Sequence, residues 1–278
     1  MFGYYIKLAS VSIRRNPVLT GLMVLAIALG IGACMTTITV NYVMSSDPIP
    51  QKSDQLYYVQ VDSWDPNSPH SQNGDPPDQI TWTEATNFMK DKKAFRQTAI
   101  ASSAGVVMPP GQDGKPFVAS MRITYADFFP MFEVPFLYGS GWSSTADDNH
   151  EFVVVLSRKT NEEVFGGEDS VGRSLNIEGQ EFRVVGVLDE YFPVPRFYDL
   201  STGAFDIPED IYLPFVLKED LELPSNGNVN CWKTPEGEGF IAFLQSECVN
   251  YQMWVELPSQ ADKQAYEDYL YNYVTEQK

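Results

Sequence analysis

Histidine is nearly missing from this chain, and most of the chemistry that histidine carries is missing with it. His70 and His150 are the full complement in 278 residues, and they stand far apart, which rules out most imidazole metal sites. Cysteine is almost as scarce, at three. A Cys–His nucleophile pair would have to draw Cys231 or Cys248 together with a distant histidine, and nothing local supports that. No G-x-x-x-x-G-K-[ST] run occurs, and Gly114–Lys115 is followed by Pro116, so a phosphate-cradling ATPase loop is excluded at the motif level. The acidic run "DDNHE" (147–151) lacks the spacing of a calcium loop and reads as a solvated turn before a strand. Positive charge is also short, since 19 Lys and Arg face 37 Asp and Glu for a net −18. A surface that acidic repels phosphate backbones, which argues against nucleic acid. No enzymatic activity, metal or cofactor has a residue to rest on.

Charge of either sign is absent from Asn16 to Ser46. The apolar part, Val18 to Met44, exceeds the roughly 20 residues that a hydrocarbon core requires. A secretory signal has a shorter apolar stretch, about 7–15 residues, and a small-residue cleavage site, neither of which fits. "IGAC" (31–34) resembles a lipobox that would make Cys34 a lipidated N-terminus, yet apolar sequence continues beyond it through "MTTITVNYVM". The expectation is a transmembrane helix over 17–44. Lys7, Arg14 and Arg15 precede it with no acid among residues 1–16. They place the N-terminus in the cytoplasm and residues after Asp47 outside. Phe2, Tyr5, Ile6, Ala9 and Ile13 fall near helical spacing, so 1–16 reads as a cytoplasmic amphipathic segment at the interface. No second run of 18 or more apolar residues occurs, so the expectation is a single crossing.

The exported part mixes strands and helices. "LYYVQV" (56–61) alternates as a strand. "TWTEATNFMKDKKAF" places Thr81 and Glu84 at capping-box spacing ahead of a helix. Residues 97–108 and 115–124 read as strands around a "PPGQDG" turn, and "YADFFPMFEVPFLYGSGWS" as a short aromatic helix with a Gly-rich end. "EFVVVLS" (151–157) reads as a buried strand, and 174–188 as a hairpin turning at Glu178–Gly179. Residues 189–210 look irregular, 211–215 and 251–257 read as strands, and 218–240 as a loop. A helix follows Ser259. Cys231 and Cys248 can close a disulfide across that loop, worth about 3 kcal/mol in an oxidising compartment. Two separate buried thiols are the alternative.

Two stretches together resemble a known family. "YYIKLASVSIRRNPVLTGLMVLAIALGIGACMTTITV" is similar to the start of bacterial ABC transporter permeases of the MacB/FtsX type, with an amphipathic helix, an Arg-Arg-Asn-Pro-like signature and the first membrane helix. "VVVLSRKTNEEVFGGEDSVGRSLNIEGQEFRVVGVLDE" resembles the signature of the MacB-like periplasmic core domain through Val164, Phe165, Gly166, Val171, Gly172, Arg173 and Val184 to Val187. The resemblance implies an α+β fold, with one N-terminal transmembrane helix ahead of a periplasmic domain over 45–278. It implies a split Porter-like β-α-β part (50–124 and 250–278) and an inserted small α/β, Sabre-like part (125–249).

It further implies an inner-membrane permease subunit whose periplasmic domain transmits ATP-driven motion, a mechanotransmission role. The implied partners are the membrane, an ABC ATPase subunit that would bind the ATP, a second permease copy or paralogue, and a periplasmic adaptor protein. Lys7, Arg14 and Arg15 would lie at the cytoplasmic face, and Trp64, Trp82, Phe128, Phe129 and Trp142 are candidates for partner contact. Such permeases carry three more membrane helices, so a fragment of a longer permease is the expectation. The alternative is a membrane-anchored periplasmic binding or sensing module without an ATPase partner.

Overall fold

The computed structural model describes residues 2–45, 47, 49–65, 67, 69–111, 114–199, 202–203 and 205–277. They form two compact units, Met1–Asp47 and Pro48–Lys278. In the first, α1 (Phe2–Arg15) and α2 (Pro17–Met44) are separated at Asn16. Pro17 occupies the first turn of α2, where its missing N–H leaves nothing unpaired. The 28 residues of α2 extend about 42 Å, beyond the roughly 30 Å of a hydrocarbon core. Leu22, Leu25, Ile27, Leu29 and Ile31 are all more than half exposed, an arrangement that favours lipid over water. The hydroxyls of Thr36 and Thr37 donate to the carbonyls of Gly32 and Ala33 at 2.9 and 3.0 Å, so they need no water. On α1 the side chains of Phe2 and Ala9, part of the expected amphipathic face, lie outside the described residues.

The second unit runs β1 (Leu56–Val59), α3 (Trp82–Asp91), β2 (Arg96–Met108), β3 (Phe117–Thr124), α4 (Phe128–Met131) and β4 (Phe136–Gly139). It continues with α5 (Ser144–Asp148), β5 (Val153–Leu156), α6 (Arg158–Phe165), β6 (Ser174–Ile177), β7 (Gln180–Leu188) and β8 (Ile211–Pro214). It closes with α7 (Leu217–Asp220), β9 (Asn230–Cys231), α8 (Phe240–Leu244), β10 (Cys248–Val249), β11 (Gln252–Glu256) and α9 (Gln260–Gln277). Local chemistry sets several of these boundaries. Thr81 caps α3 by accepting the Glu84 N–H at 3.2 Å, while the Glu84 carboxylate takes the Thr81 N–H at 2.8 Å. Ser157 caps α6, and Gly166, at φ 72°, ends it. Glu178 and Gly179 both have positive φ, 49° and 82°, as a two-residue hairpin turn between right-twisted strands demands.

The strand order is β1-β11-β2-β3-β8-β5-β7-β4, with β6 bridging β2 and β7. Six ladders therefore close a ring: β2–β3, β3–β8, β8–β5, β5–β7, β7–β6 and β6–β2. Two of them are parallel, β3–β8 and β5–β7. The 13 residues of β2 make this possible, because one edge of the strand serves β11 near its start and β6 at its end.

Both faces of the sheet are covered at β5 and β8. Along β5, Val154 and Leu156 enter one core while Val153 and Val155 enter another. Along β8, Ile211 and Leu213 alternate in the same way with Tyr212. That is why β5 reads as an unbroken apolar run rather than an alternating one. Helices α3 and α9 cover the first core through Phe88, Met89 and Tyr266, and α4 fills the second with Phe128, Phe129 and Met131.

Two features depart from the sequence expectation. Strand β4 arises inside the stretch read as aromatic helix and turn, pairing with β7 across a register shift. The stretch 218–240, expected as loop alone, contributes α7 and β9, and α8 follows directly. These are four, two and five residues long, too short for a hydrophobic period to show. The expected "PPGQDG" turn falls partly on Gln112 and Asp113, outside the described residues.

Candidate functional site

Where the chain enters the second unit, it is fastened at once. Ile49 is buried in the core with Phe128 and Tyr212. Lys52 donates to the Pro130 carbonyl at 2.6 Å and pairs with Glu256 at 3.4 Å. Glu256, only 3 % exposed, also takes Arg96 at 3.0 Å. One buried carboxylate thus ties the entry segment to the end of β11 and the start of β2. Residues 49–52 are thereby held against the sheet.

A second set of charges lies within the fold. Arg122 on β3 is fully buried and pairs with Asp199 and Glu209. Arg196 reaches Glu209 at 2.6 Å and Thr202 at 2.9 Å, and Gln252 donates to Asp199 at 2.9 Å. Burial pushes the Asp199 carboxyl upward, but the Arg122 guanidinium with Gln252 and Thr202 outweighs it and holds the group well below the usual range. Arg122 and Arg196 face Asp199, Glu209 and, at 4.0 Å from Arg196, Asp206, and these contacts hold Asp199 and Glu209 onto β3 and β11.

Beside α3 a cleft of about 600 Å³ carries Lys90, Lys92 and Arg96 opposite Asp127, Asp147 and Asp148. Burial raises the Asp147 carboxyl to about 7, against the pull of its two N–H donors. Those donors, Ala126 N–H and Trp142 Nε1–H, sit at 2.9 Å on separate oxygens. Through its two oxygens Asp147 braces α5 against the segment before α4. The rest of the acidic run disperses: Asp148 to Lys92, His150 to Asp220 at 2.5 Å, and Glu151 to Arg183. Among the described residues, no three His, Cys, Asp or Glu side chains converge on a metal-sized point.

The residues singled out from the sequence fall into separate places. Cys231 and Cys248 form a disulfide across the two-residue β9–β10 ladder. Lys7, Arg14 and Arg15 are exposed on α1. Trp64 is half-buried with an edge contact to His70 at 4.9 Å, and it lines a cavity of about 360 Å³ with Glu84 and Trp232. Trp82 stacks on Phe215 at 4.9 Å and packs against the core.

Phe128, Phe129 and Trp142 are corrected. At 0, 4 and 6 % exposure they are interior, and an edge contact at 4.9 Å seats Trp142 against Phe129. As candidates for partner contact they are withdrawn, because their apolar area is spent inside the fold. The sequence reasoning missed Arg122, Glu209, Lys52 and Glu256. Their only local signal is the charged Arg122 between Met121 and Ile123 in the strand "SMRIT".

Together these features define a class: an uncharged helix of membrane-spanning length, then a two-core α+β domain stapled by a disulfide. The chain matches the family model of the MacB-like periplasmic core domain over residues 20–272. It belongs to that family, the domain of MacB/FtsX-type ABC transporter permeases. Among solved structures it is similar to the periplasmic region of MacB from Actinobacillus actinomycetemcomitans, at 16 % identity and TM-score 0.49, covering 84 % of this chain and 88 % of that one. It is also similar to the extracellular domain of the noncanonic ABC-type transporter YknZ from Gram-positive bacteria, at 13 % identity and TM-score 0.41, covering 76 % and 87 %. No curated protein matches the sequence.

Proposed function

We propose that the chain is part of an inner-membrane permease subunit of a MacB/FtsX-like ABC transporter, with its N-terminus cytoplasmic and its main domain periplasmic. The domain relays ATP-driven motion from α2 outward to an adaptor or to substrate. The observation that carries this reading is the family match joined to the fastening of residues 49–52 onto the sheet through Glu256. An ABC ATPase subunit meets the cytoplasmic face near Lys7, Arg14 and Arg15, and a second permease copy or paralogue completes the membrane part. The work is mechanical, so the chain is not an enzyme and takes no cofactor.

The division into a Porter-like part (50–124 with 250–278) and a Sabre-like insertion (125–249) belongs to the same proposal. For the adaptor, Val106 and Val118 face each other across the β2–β3 hairpin, 41 and 70 % exposed, with Met108 nearby at 48 %. Affinity purification of the full chain from its native membrane tests the reading. A Walker-motif ATPase with vanadate-sensitive activity is expected at a stoichiometric level. Recovery of the anchored chain with no ATPase, after gentle crosslinking, contradicts it and favours a binding or sensing module.

A further inference from the structure

The cavity of about 360 Å³ beside Trp64 lies among the segment after β1, the start of α3, the end of α9 and the loops next to the disulfide. Its volume suits a small molecule. Trp64, Trp232 and Tyr273 line it, and all three are half-buried. Groups outside the cavity hold them. Trp64 meets His70 edge-on at 4.9 Å. Tyr273 packs on Phe88 at 4.8 Å, and its hydroxyl accepts from Asn87 Nδ2 at 3.0 Å. Trp232 follows Cys231, whose bridge to Cys248 keeps it close to Glu247. The Trp232 Nε1 is buried, so that side chain offers the cavity ring carbon rather than an N–H. Neither tryptophan stacks face to face on another ring among the described residues.

The charge around these rings has one sign. Asp62, Glu84 and Glu247 line the cavity, and no Lys, Arg or His does so among the described residues. Lys233, next to Trp232, is paired with Glu236. The positive end of α3 is already met by the Glu84 carboxylate, which takes the Thr81 N–H and hydroxyl at 2.8 and 2.9 Å. Burial raises the Glu84 carboxyl, and the Glu247 charge adds to that rise against the Thr81 donors. A cation in the cavity relieves this cost, whereas an anion worsens it. Carboxylates alone accept any cation, but aromatic faces favour one that sheds its water readily. Alkylated ammonium groups meet that condition, and tryptophan faces attract them most strongly.

We propose that this cavity binds the methylated ammonium group of a small organic molecule. Trp64, Trp232 and Tyr273 enclose the methyl groups, and Glu84 and Glu247 balance the charge.

Isothermal titration of the full chain in neutral polyoxyethylene micelles, with a micelle-only blank, tests this. The probes are choline, its uncharged isostere 3,3-dimethyl-1-butanol, glycerophosphocholine and maltose. Saturable choline binding is expected, with the isostere about tenfold weaker and maltose not bound. Glycerophosphocholine should bind more weakly than choline, because the carboxylates repel its phosphate, and that order assigns the site to a free cation. The reverse order assigns the same ammonium chemistry to a lipid headgroup. Trp64→Leu should weaken choline about tenfold and Trp64→Phe about threefold, with the isostere little changed. Glu247→Lys, at an exposed position, should abolish choline binding and leave Tm unaltered. Choline heats that match the blank, an isostere that binds as tightly, saturable maltose binding, or unchanged choline affinity in both Trp64→Leu and Glu247→Lys would each overturn the proposal.

Discussion

Replacing Lys218 with methionine gives a pH signature whose sign follows from burial. Lys218 lies on α7 with no exposed surface. Its Nζ donates to the carbonyls of Leu223 at 2.8 Å and Pro224 at 3.3 Å, and the rings of Phe240 and Tyr251 stand 5.8 and 5.9 Å away. Burial lowers its ammonium from 10.5 to about 8. The folded protein sheds this proton near pH 8, whereas the unfolded chain keeps it until about 10.5.

The charge is therefore a penalty at neutral pH, about 3 kcal/mol, which fades as pH rises. Between about pH 7 and pH 9.5 roughly 2 kcal/mol of it is relieved. Methionine keeps the length of the side chain and cannot titrate. Urea unfolding of the full chain and of Lys218→Met, followed at both pH values, isolates the effect, because the buried tyrosines contribute equally to both proteins. The stability of wild type relative to the variant should rise by about 2 kcal/mol toward alkaline pH. Curves that stay parallel, or that separate in the opposite direction, would refute the reasoning.

Further outcomes follow from the same physics. Arg122→Met leaves Asp199 without a cation in the interior and should cost about 3–5 kcal/mol in chemical denaturation, with Asp199→Asn in the same chain recovering part of it. A loss below about 1 kcal/mol would show that the cluster is already solvated. Breaking the Cys231–Cys248 bridge by Cys231→Ser with Cys248→Ser should cost about 3 kcal/mol, set by the loop it closes. Thiol counting on the unfolded, unreduced protein should find only Cys34 reactive, and two further thiols would remove the bridge. Thr81→Ala deletes the hydroxyl that caps α3 and should cost about 1 kcal/mol; no change would mean that Glu84 alone satisfies the helix start.

What could be read in advance was local. The uncharged run of α2, the Thr81–Glu84 capping box and the Glu178–Gly179 turn each declare themselves within a few residues. The apolar run of β5 announces burial because both of its faces are covered. What stayed hidden depends on partners far apart in the chain. Arg122 becomes a core residue only because Asp199 and Glu209 arrive from an irregular segment 77 and 87 positions later. Ring closure through β6 rests on two residue pairs with the end of β2, which no periodicity encodes. The aromatic segment 125–142 misled because ring content signals apolar area without telling whether that area faces a partner or the interior.

The orientation of the anchored domain is tested most directly by labelling single introduced cysteines in intact spheroplasts with a membrane-impermeant maleimide. Asp65→Cys should react and Gly3→Cys should not, with Cys34 within α2 and the Cys231–Cys248 bridge contributing no signal. Labelling at position 3 but not at 65 would place the domain in the cytoplasm and contradict the account.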